Sequence, residues 1–182
     1  MSPKQVNVGV FVAGETMILD TAAVDILGMG SKEFIASVPF LPDDLKDLAP
    51  VVSVSYIASG ELIPMTAGAT MRVTHDLSHP DVQPGKLDVL LVPGVPPDAQ
   101  LDEEALGFLR GHAESEGTDI LSICTGIVVC CAAGITEGKT ACGPRDMQDL
   151  LREKYPGTKF VGDKCRWTQD GNLWTSGMFC AT

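Results

Sequence analysis

What this 182-residue chain lacks narrows it quickly. No apolar run approaches the roughly 20 residues that a membrane-spanning helix needs. Positive charge is short: 13 Lys and Arg stand against 24 Asp and Glu, a net charge of -11. That balance argues against nucleic acid or an anionic membrane surface as a partner. Met1-Ser2-Pro3-Lys4-Gln5 leads straight into the apolar stretch from Val6 to Val12, without the build of a secretion signal. The expected location is therefore cytoplasmic. No internal repeat, low-complexity tract or linker divides the chain. Its six cysteines, Cys124, Cys130, Cys131, Cys142, Cys165 and Cys180, contain no C-x-x-C pair, and none has a histidine at ligand spacing. The three histidines, His75, His79 and His112, all precede the first cysteine. A zinc scaffold or disulfide framework is disfavoured, and most of the thiols read as small buried apolar side chains.

What is present reads as one domain, 1–182, of alternating strands and helices. Val6 to Ala13 is a buried strand, β-branched and nearly uncharged. A helical face follows within Met17 to Met29, then a Pro- and Asp-rich loop with a short helical piece. Val51 to Ala58 is a second strand, and Gly60 to Val73 a hairpin or excursion. His75-Asp76-Leu77-Ser78-His79-Pro80 is expected to be a polar loop with solvated histidines, since Pro80 argues against the helix that would align them. Leu87 to Val92 is a third strong strand. A helix is predicted from about Asp102 to Glu116, with His112 on its surface. Short strands are predicted near Lys139–Ala141, Lys159–Gly162, Arg166–Thr168 and Asn172–Ser176, the last two joined at Asp170-Gly171. A helix is predicted over Pro144–Lys154. Alternation of this kind implies α/β architecture: a mostly parallel sheet with helices on both faces.

The stretch from Thr118 to Gly134 organises the rest. An apolar strand passes through a small-residue turn into an Ala/Val-rich helix, with Cys124 at the corner. That is the layout of a nucleophile elbow. A helix N-terminus at the corner is expected to favour thiolate over thiol. Asp20 stands just after Met17-Ile18-Leu19, and a carboxylate among apolar neighbours must be paired or raise its pKa. Asp20, Gly94 and Cys124 each fall just beyond a predicted strand end. In a parallel sheet those positions gather at one edge, where ligands collect.

With those residues assembled, the chain resembles the ThiJ/PfpI superfamily (class I glutamine-amidotransferase-like), and within it the branch of isonitrile hydratases and related fungal proteins. The matching segments are Val8–Phe11 with Ile18-Leu19-Asp20, Leu87–Gly94, Ser122-Ile123-Cys124-Thr125-Gly126, Ala133–Thr140 and Asp170–Gly177. The resemblance implies a flavodoxin-like sandwich whose C-terminal helical region is cut short after Gly177, leaving the domain incomplete and one sheet face uncovered. It implies Cys124 as nucleophile, Asp20 as its acidic partner, and Thr125 beside them. Gly94, Val95 and Gly126 would bind or orient substrate. Val95 stands where family members generally have a second glycine. The implied reaction adds water to an isonitrile to give an N-substituted formamide, in isocyanide secondary metabolism, with no metal or organic cofactor and in a homodimer. Thr125 replaces the histidine that protease-like members carry after the cysteine, and no histidine follows Cys124. A non-enzymatic redox-sensing or chaperone-like role and a deglycase activity are the alternatives.

Overall fold

A computed structural model of the chain describes residues 4–96 and 98–177; Cys180 lies outside the described residues. The β-branched runs become the strands of one sheet: β1 (Gln5–Phe11), β2 (Val51–Ile57), β5 (Val89–Val92), β6 (Asp119–Ile123), β9 (Trp167–Asp170) and β10 (Leu173–Ser176). Their order across the sheet is β2-β1-β5-β6-β10-β9. Neighbours run parallel except the β9–β10 hairpin, whose Asp170-Gly171 turn places Gly171 at φ +62°. The excursion is an antiparallel pair, β3 (Leu62–Pro64) with β4 (Thr70–Arg72). A second small sheet pairs β7 (Thr140–Ala141) with β8 (Lys159–Phe160). The fold is α/β with a mostly parallel sheet, as expected.

Alternation along each strand feeds two cores. On one face Phe11, Ile57, Leu90, Val92 and Ile120 are buried. They lie against α5 (Glu103–Glu114) and α6 (Gly126–Ala132). The α5 helix starts where the sequence gives it a cap: the Asp102 carboxylate accepts the Ala105 N–H at 2.7 Å. Leu106 and Leu109 then recur at the helical spacing that faces the sheet. On the other face Val8, Val10 and Leu91 pack against Val24 and against Ile63 and Met65 of the hairpin region. Val24 belongs to α2 (Ala23–Met29), which follows the single turn α1 (Ile18–Thr21). The Pro- and Asp-rich segment holds two short helices, α3 (Lys32–Ala36) and α4 (Asp43–Lys46); α7 (Gln148–Lys154) is the predicted later helix, entered through a 3₁₀ turn.

The second face is covered over only part of its width. Beyond α2 an apolar groove of about 370 Å³ runs between Ile26 and Leu27 on one side and Leu121, Ile123 and Trp174 on the other. Ile26 is 71% and Trp167 60% exposed, so this face is open among the described residues. No described helix is long and apolar enough to cross a membrane.

One helix residue corrects the sequence reading. His112, expected at the surface, is fully buried. Its ring packs at a tilt on Phe108, centroids 4.6 Å apart, and Nε2 lies 2.9 Å from the Val82 carbonyl, while Nδ1 has no partner among the described residues. It sits three and six positions after Leu109 and Leu106, on the apolar face of α5, although its sequence neighbours are charged or small. Burial pushes its pKa below the ordinary 6.5, with the Val82 bond acting against that shift. Below pH 6.5 the unfolded chain therefore binds the proton more readily than the folded one, and stability falls as the pH drops toward the folded value. Thermal unfolding should show Tm decreasing from pH 6.5 downward, with a shallower acid slope in His112→Gln; equal slopes would contradict this account.

Candidate active site

The chain turns from β6 into α6 through Cys124 and Thr125. Cys124 has φ 55°, and it is the one non-glycine residue with positive φ among the described residues. A left-handed conformation at such a residue costs on the order of 1–3 kcal/mol, and the surroundings hold it there. The Cys124 N–H donates to the Ser176 carbonyl of β10 at 3.1 Å. Gly126, at the start of α6, approaches β5 so closely that a Cβ would overlap the Val92 carbonyl oxygen and reach the Pro93 carbonyl at 3.0 Å. A side chain at that position would push the elbow away from the strand.

Asp20 arrives from α1, at the carboxyl end of β1, and is 4% exposed. Its Oδ2 accepts the Gly94 N–H at 3.0 Å, and its carboxyl lies near enough to the Cys124 thiol for each to shift the pKa of the other. The loop that delivers it is tied down on both sides. Thr16 bridges to Met65 of the hairpin region, and its hydroxyl donates to the Gly94 carbonyl at 2.6 Å. Thr125 completes the enclosure by donating its hydroxyl to the Val95 carbonyl at 2.8 Å. Gly94 lies between the two side chains: a Cβ there would overlap Asp20 Oδ2 and stand 2.6 Å from Thr125 Oγ1.

The structure thus brings Asp20, Gly94, Val95, Cys124, Thr125 and Gly126 together at one edge of the sheet. Thr16 joins them, and no sequence signal separated it from an ordinary turn residue. Gly94 and Val95 were expected to offer their backbone to substrate. Instead the Gly94 N–H is engaged by Asp20, and both carbonyls accept threonine hydroxyls. Val95 itself is buried at 3% exposure.

The electrostatics correct a second expectation. Cys124 is 1% exposed, and burial pushes its pKa above the ordinary 9.0, with the Asp20 charge and hydrogen bond adding to the rise. The Thr125 amide and hydroxyl act the other way and do not win, and the hydroxyl is also engaged by the Val95 carbonyl. The resting sulfur is a thiol rather than the helix-stabilised thiolate the elbow suggested. Burial likewise raises Asp20 above 3.8, while the Gly94 amide and the Cys124 thiol pull it back. Each acts on the other in the same sense, Cys124 favouring the ionised Asp20 and Asp20 disfavouring the Cys124 thiolate, so the interaction between them favours the carboxylate–thiol form.

Two small cavities open among the loops at the carboxyl ends of the strands, and neither Asp20 nor Cys124 lines either of them. One of about 80 Å³ is lined by Val95, Thr125, Val128 and Tyr155, and one of about 270 Å³ by Gly14, Glu15, Ser59, Gln100 and Asp102. Elsewhere His75 and His79 do lie in the expected loop, but their rings meet edge to face at 4.4 Å. With Asp81 their donor atoms come within 4.8 Å of one another. Each ring also has local work: Nδ1 of His75 is 2.9 Å from the Thr74 hydroxyl, and Nδ1 of His79 accepts the Asp81 N–H.

Comparison with known proteins gives consistent relatives. The DJ-1/PfpI family profile matches residues 34–181. Asp20 lies ahead of that stretch, so for Asp20 the geometry carries the weight. An isonitrile hydratase of Pseudomonas putida is 33% identical over 142 residues, covering 77% of this chain and 59% of the relative. A deglycase of Pyrococcus horikoshii is 31% identical over 130 residues, 66% of this chain and 70% of its own length. A solved ThiJ/PfpI family protein of Pseudomonas syringae superposes with a TM-score of 0.69 at 19% identity, over 97% of this chain and 63% of that one. At that identity the likeness is one of fold. The chain spans about three fifths of the length of the isonitrile hydratase and of the Pseudomonas syringae protein.

Because Gly94 separates Asp20 from Thr125 with no room for a Cβ, Gly94→Ala should destabilise the protein by about 1–3 kcal/mol, the usual cost of overpacking. Urea unfolding measures this directly. Asp20→Asn should behave oppositely. A carboxyl with a raised folded pKa loses stability as pH climbs through that value, so at pH 7 the amide should match or exceed the parent in Tm.

Proposed function

The chain belongs to the DJ-1/PfpI family, and on that premise we propose that it is a cysteine-dependent hydratase that adds water to an isonitrile, giving an N-substituted formamide. The observation that carries this reading is the nearness of a buried acid to a buried thiol, Asp20 to Cys124, each shifting the other's pKa. An isonitrile receives its nucleophile and its proton on the same terminal carbon. A sulfur and an acid side by side suit that demand. A carbonyl substrate asks instead for donors aimed at a distant oxygen, and here the nearby Gly94 N–H is engaged by Asp20. The 33% identity to an isonitrile hydratase supports the same choice.

In this reading the thiol proton passes to Asp20 as sulfur bonds to the isonitrile carbon, and Asp20 returns it to that carbon. The product is a thioimidate, R–N=CH–S–Cys124. Water then adds across the C=N bond, its oxygen to carbon and one proton to nitrogen. The remaining hydroxyl proton goes by way of Asp20 to sulfur as the C–S bond breaks, releasing R–NH–CHO and restoring the thiol. Thr125 holds the turn through Val95 and presents its amide to the sulfur whenever negative charge develops there. The small cavity lined by Val95, Thr125 and Tyr155 would receive the substituent. No metal or organic cofactor enters this scheme. A homodimer and a place in isocyanide secondary metabolism belong to the same proposal; sedimentation of the purified protein tests the first.

A deglycase is the second reading, favoured by the Pyrococcus horikoshii relative. Against it, the groups acting on the sulfur are Asp20 and Thr125, with no imidazole among them, and His112 is turned to Val82. A redox sensor built on Cys124 is weakened by its burial and raised pKa.

The test follows loss of an isonitrile and gain of its formamide by infrared or NMR. Cys124→Ala should abolish turnover, and Asp20→Asn should lower kcat by about 10² or more, within the range of general acid–base catalysis. The singly protonated pair is the competent form. Below the Asp20 value no group can accept the thiol proton, and above the Cys124 value none remains to donate. The kcat/KM profile should therefore be bell-shaped, with an acid limb set by Asp20 above 3.8 and a basic limb set by Cys124 above 9.0. Turnover surviving in Cys124→Ala would overturn the proposal; Cys124-dependent consumption of methylglyoxal without isonitrile turnover would support the deglycase instead.

A further inference from the structure

A second pair of sulfurs lies outside the elbow. Cys142 follows β7 and Cys165 lies in the turn after β8, and their Sγ atoms are 3.4 Å apart although 23 residues separate them. Both are reduced. Neither position is incidental to the backbone around it. The Cys142 N–H donates to the Thr175 hydroxyl at 2.6 Å, and the Val161 N–H to the Ala141 carbonyl at 3.0 Å. Gln148 clamps the two segments, accepting the Gly162 N–H at 2.7 Å and donating to the Gly143 carbonyl. The Val161 carbonyl accepts the Cys165 N–H at 3.1 Å and faces the Cys165 sulfur at 3.4 Å. The two thiols are therefore held in register by the fold.

Their exposures differ in a useful way. Cys142 is fully buried, whereas Cys165 is partly open. Burial and the neighbouring Cys165 sulfur push Cys142 up to about 12, so it keeps its proton and is not the sulfur that meets peroxide first. The outer sulfur meets reagents first and the inner one stands behind it.

We infer that Cys142 and Cys165 form a redox-active dithiol that reduces hydroperoxides and closes to a disulfide. Cys165 attacks the peroxide, the O–O bond breaks, and the sulfur becomes a sulfenic acid while the alcohol or water departs. The Cys142 sulfur then displaces the sulfenic oxygen, which leaves as water with the Cys142 proton. Two thiols lose two hydrogens and two electrons, and the peroxide gains them. A disulfide has an S–S distance of about 2.05 Å, so the sulfurs close by about 1.4 Å. Cys124 does not take part: it is almost wholly buried and its partner is a carboxylate.

The test is independent of the hydratase reading. Purified protein is treated with hydrogen peroxide, its remaining thiols are alkylated, and tryptic peptides are read by mass spectrometry. Cleavage after Lys139, Arg145, Lys164 and Arg166 places the two cysteines on separate short peptides. The expected product is these two peptides joined and lighter by two hydrogens, formed equally in Cys124→Ala. In Cys142→Ser, Cys165 should instead be trapped by dimedone as sulfenic acid. A Cys165 that oxidises to sulfinic acid while Cys142 stays alkylated would overturn the inference. So would a cross-link joining either residue to a different cysteine, or no oxidation at Cys165 under peroxide that modifies Cys124.

Discussion

A carboxyl and a thiol buried close to each other set the terms for this fold. Each alone would be costly in an interior, because burial disfavours its charged form. Together they are tolerable: the Gly94 amide bonds the carboxylate, the nearby thiol favours its ionised form, and the sulfur keeps its hydrogen. The arrangement demands that three chain segments distant in sequence end within hydrogen-bond reach of one another. The parallel sheet meets that demand, since β1, β5 and β6 are neighbours whose carboxyl ends share an edge. The segment after β1 carries Asp20, the loop leaving β5 carries Gly94, and the turn out of β6 carries Cys124.

Closeness at that edge is bought with backbone constraint. Gly94 and Gly126 each stand where any Cβ would collide, one with side chains and the other with the end of β5. Cys124 itself holds a left-handed conformation that only glycine adopts freely. The strain persists because neighbouring bonds over-determine it: Ser176 takes the Cys124 amide, Thr125 locks onto Val95, and Thr16 locks onto Gly94. Side-chain hydroxyls here serve carbonyls that regular structure leaves free at strand ends, those of Gly94 and Val95.

Much of this was legible in the residues. Strands rich in Val, Ile and Leu announced the sheet, and its alternation with helices announced parallel topology. Asp20, Gly94 and Cys124 could be placed at one edge from that alone, because in such sheets strand ends converge. Other features had no local signature. His112 has charged and small neighbours in sequence, and only the tertiary position of α5 against Phe108 and Val82 decides that it is buried. His75 and His79 meet because a turn folds their loop back, a contact that helical spacing does not describe. Cys142 and Cys165 meet through pairing of two-residue strands, too short to carry periodicity.

The charge state of Cys124 shows why a motif alone misleads about reactivity. A helix terminus contributes about 0.3–1 kcal/mol to a nearby charge, and up to about 2 in a buried setting. One pKa unit corresponds to about 1.36 kcal/mol, so the dipole could lower a thiol by little more than one unit. Here α6 is seven residues long and begins two positions beyond the sulfur, while desolvation and an adjacent carboxylate both oppose ionisation. The sum falls on the side of the neutral thiol. Such a sulfur is poorly disposed toward chance electrophiles, since it carries no standing negative charge. It becomes nucleophilic when its proton can move to Asp20 during attack, and it gains most from an electrophile that takes that proton back on the atom it bonds. The selectivity of the proposed reaction would then arise from the pairing of acid and sulfur, ahead of any contact with the substituent.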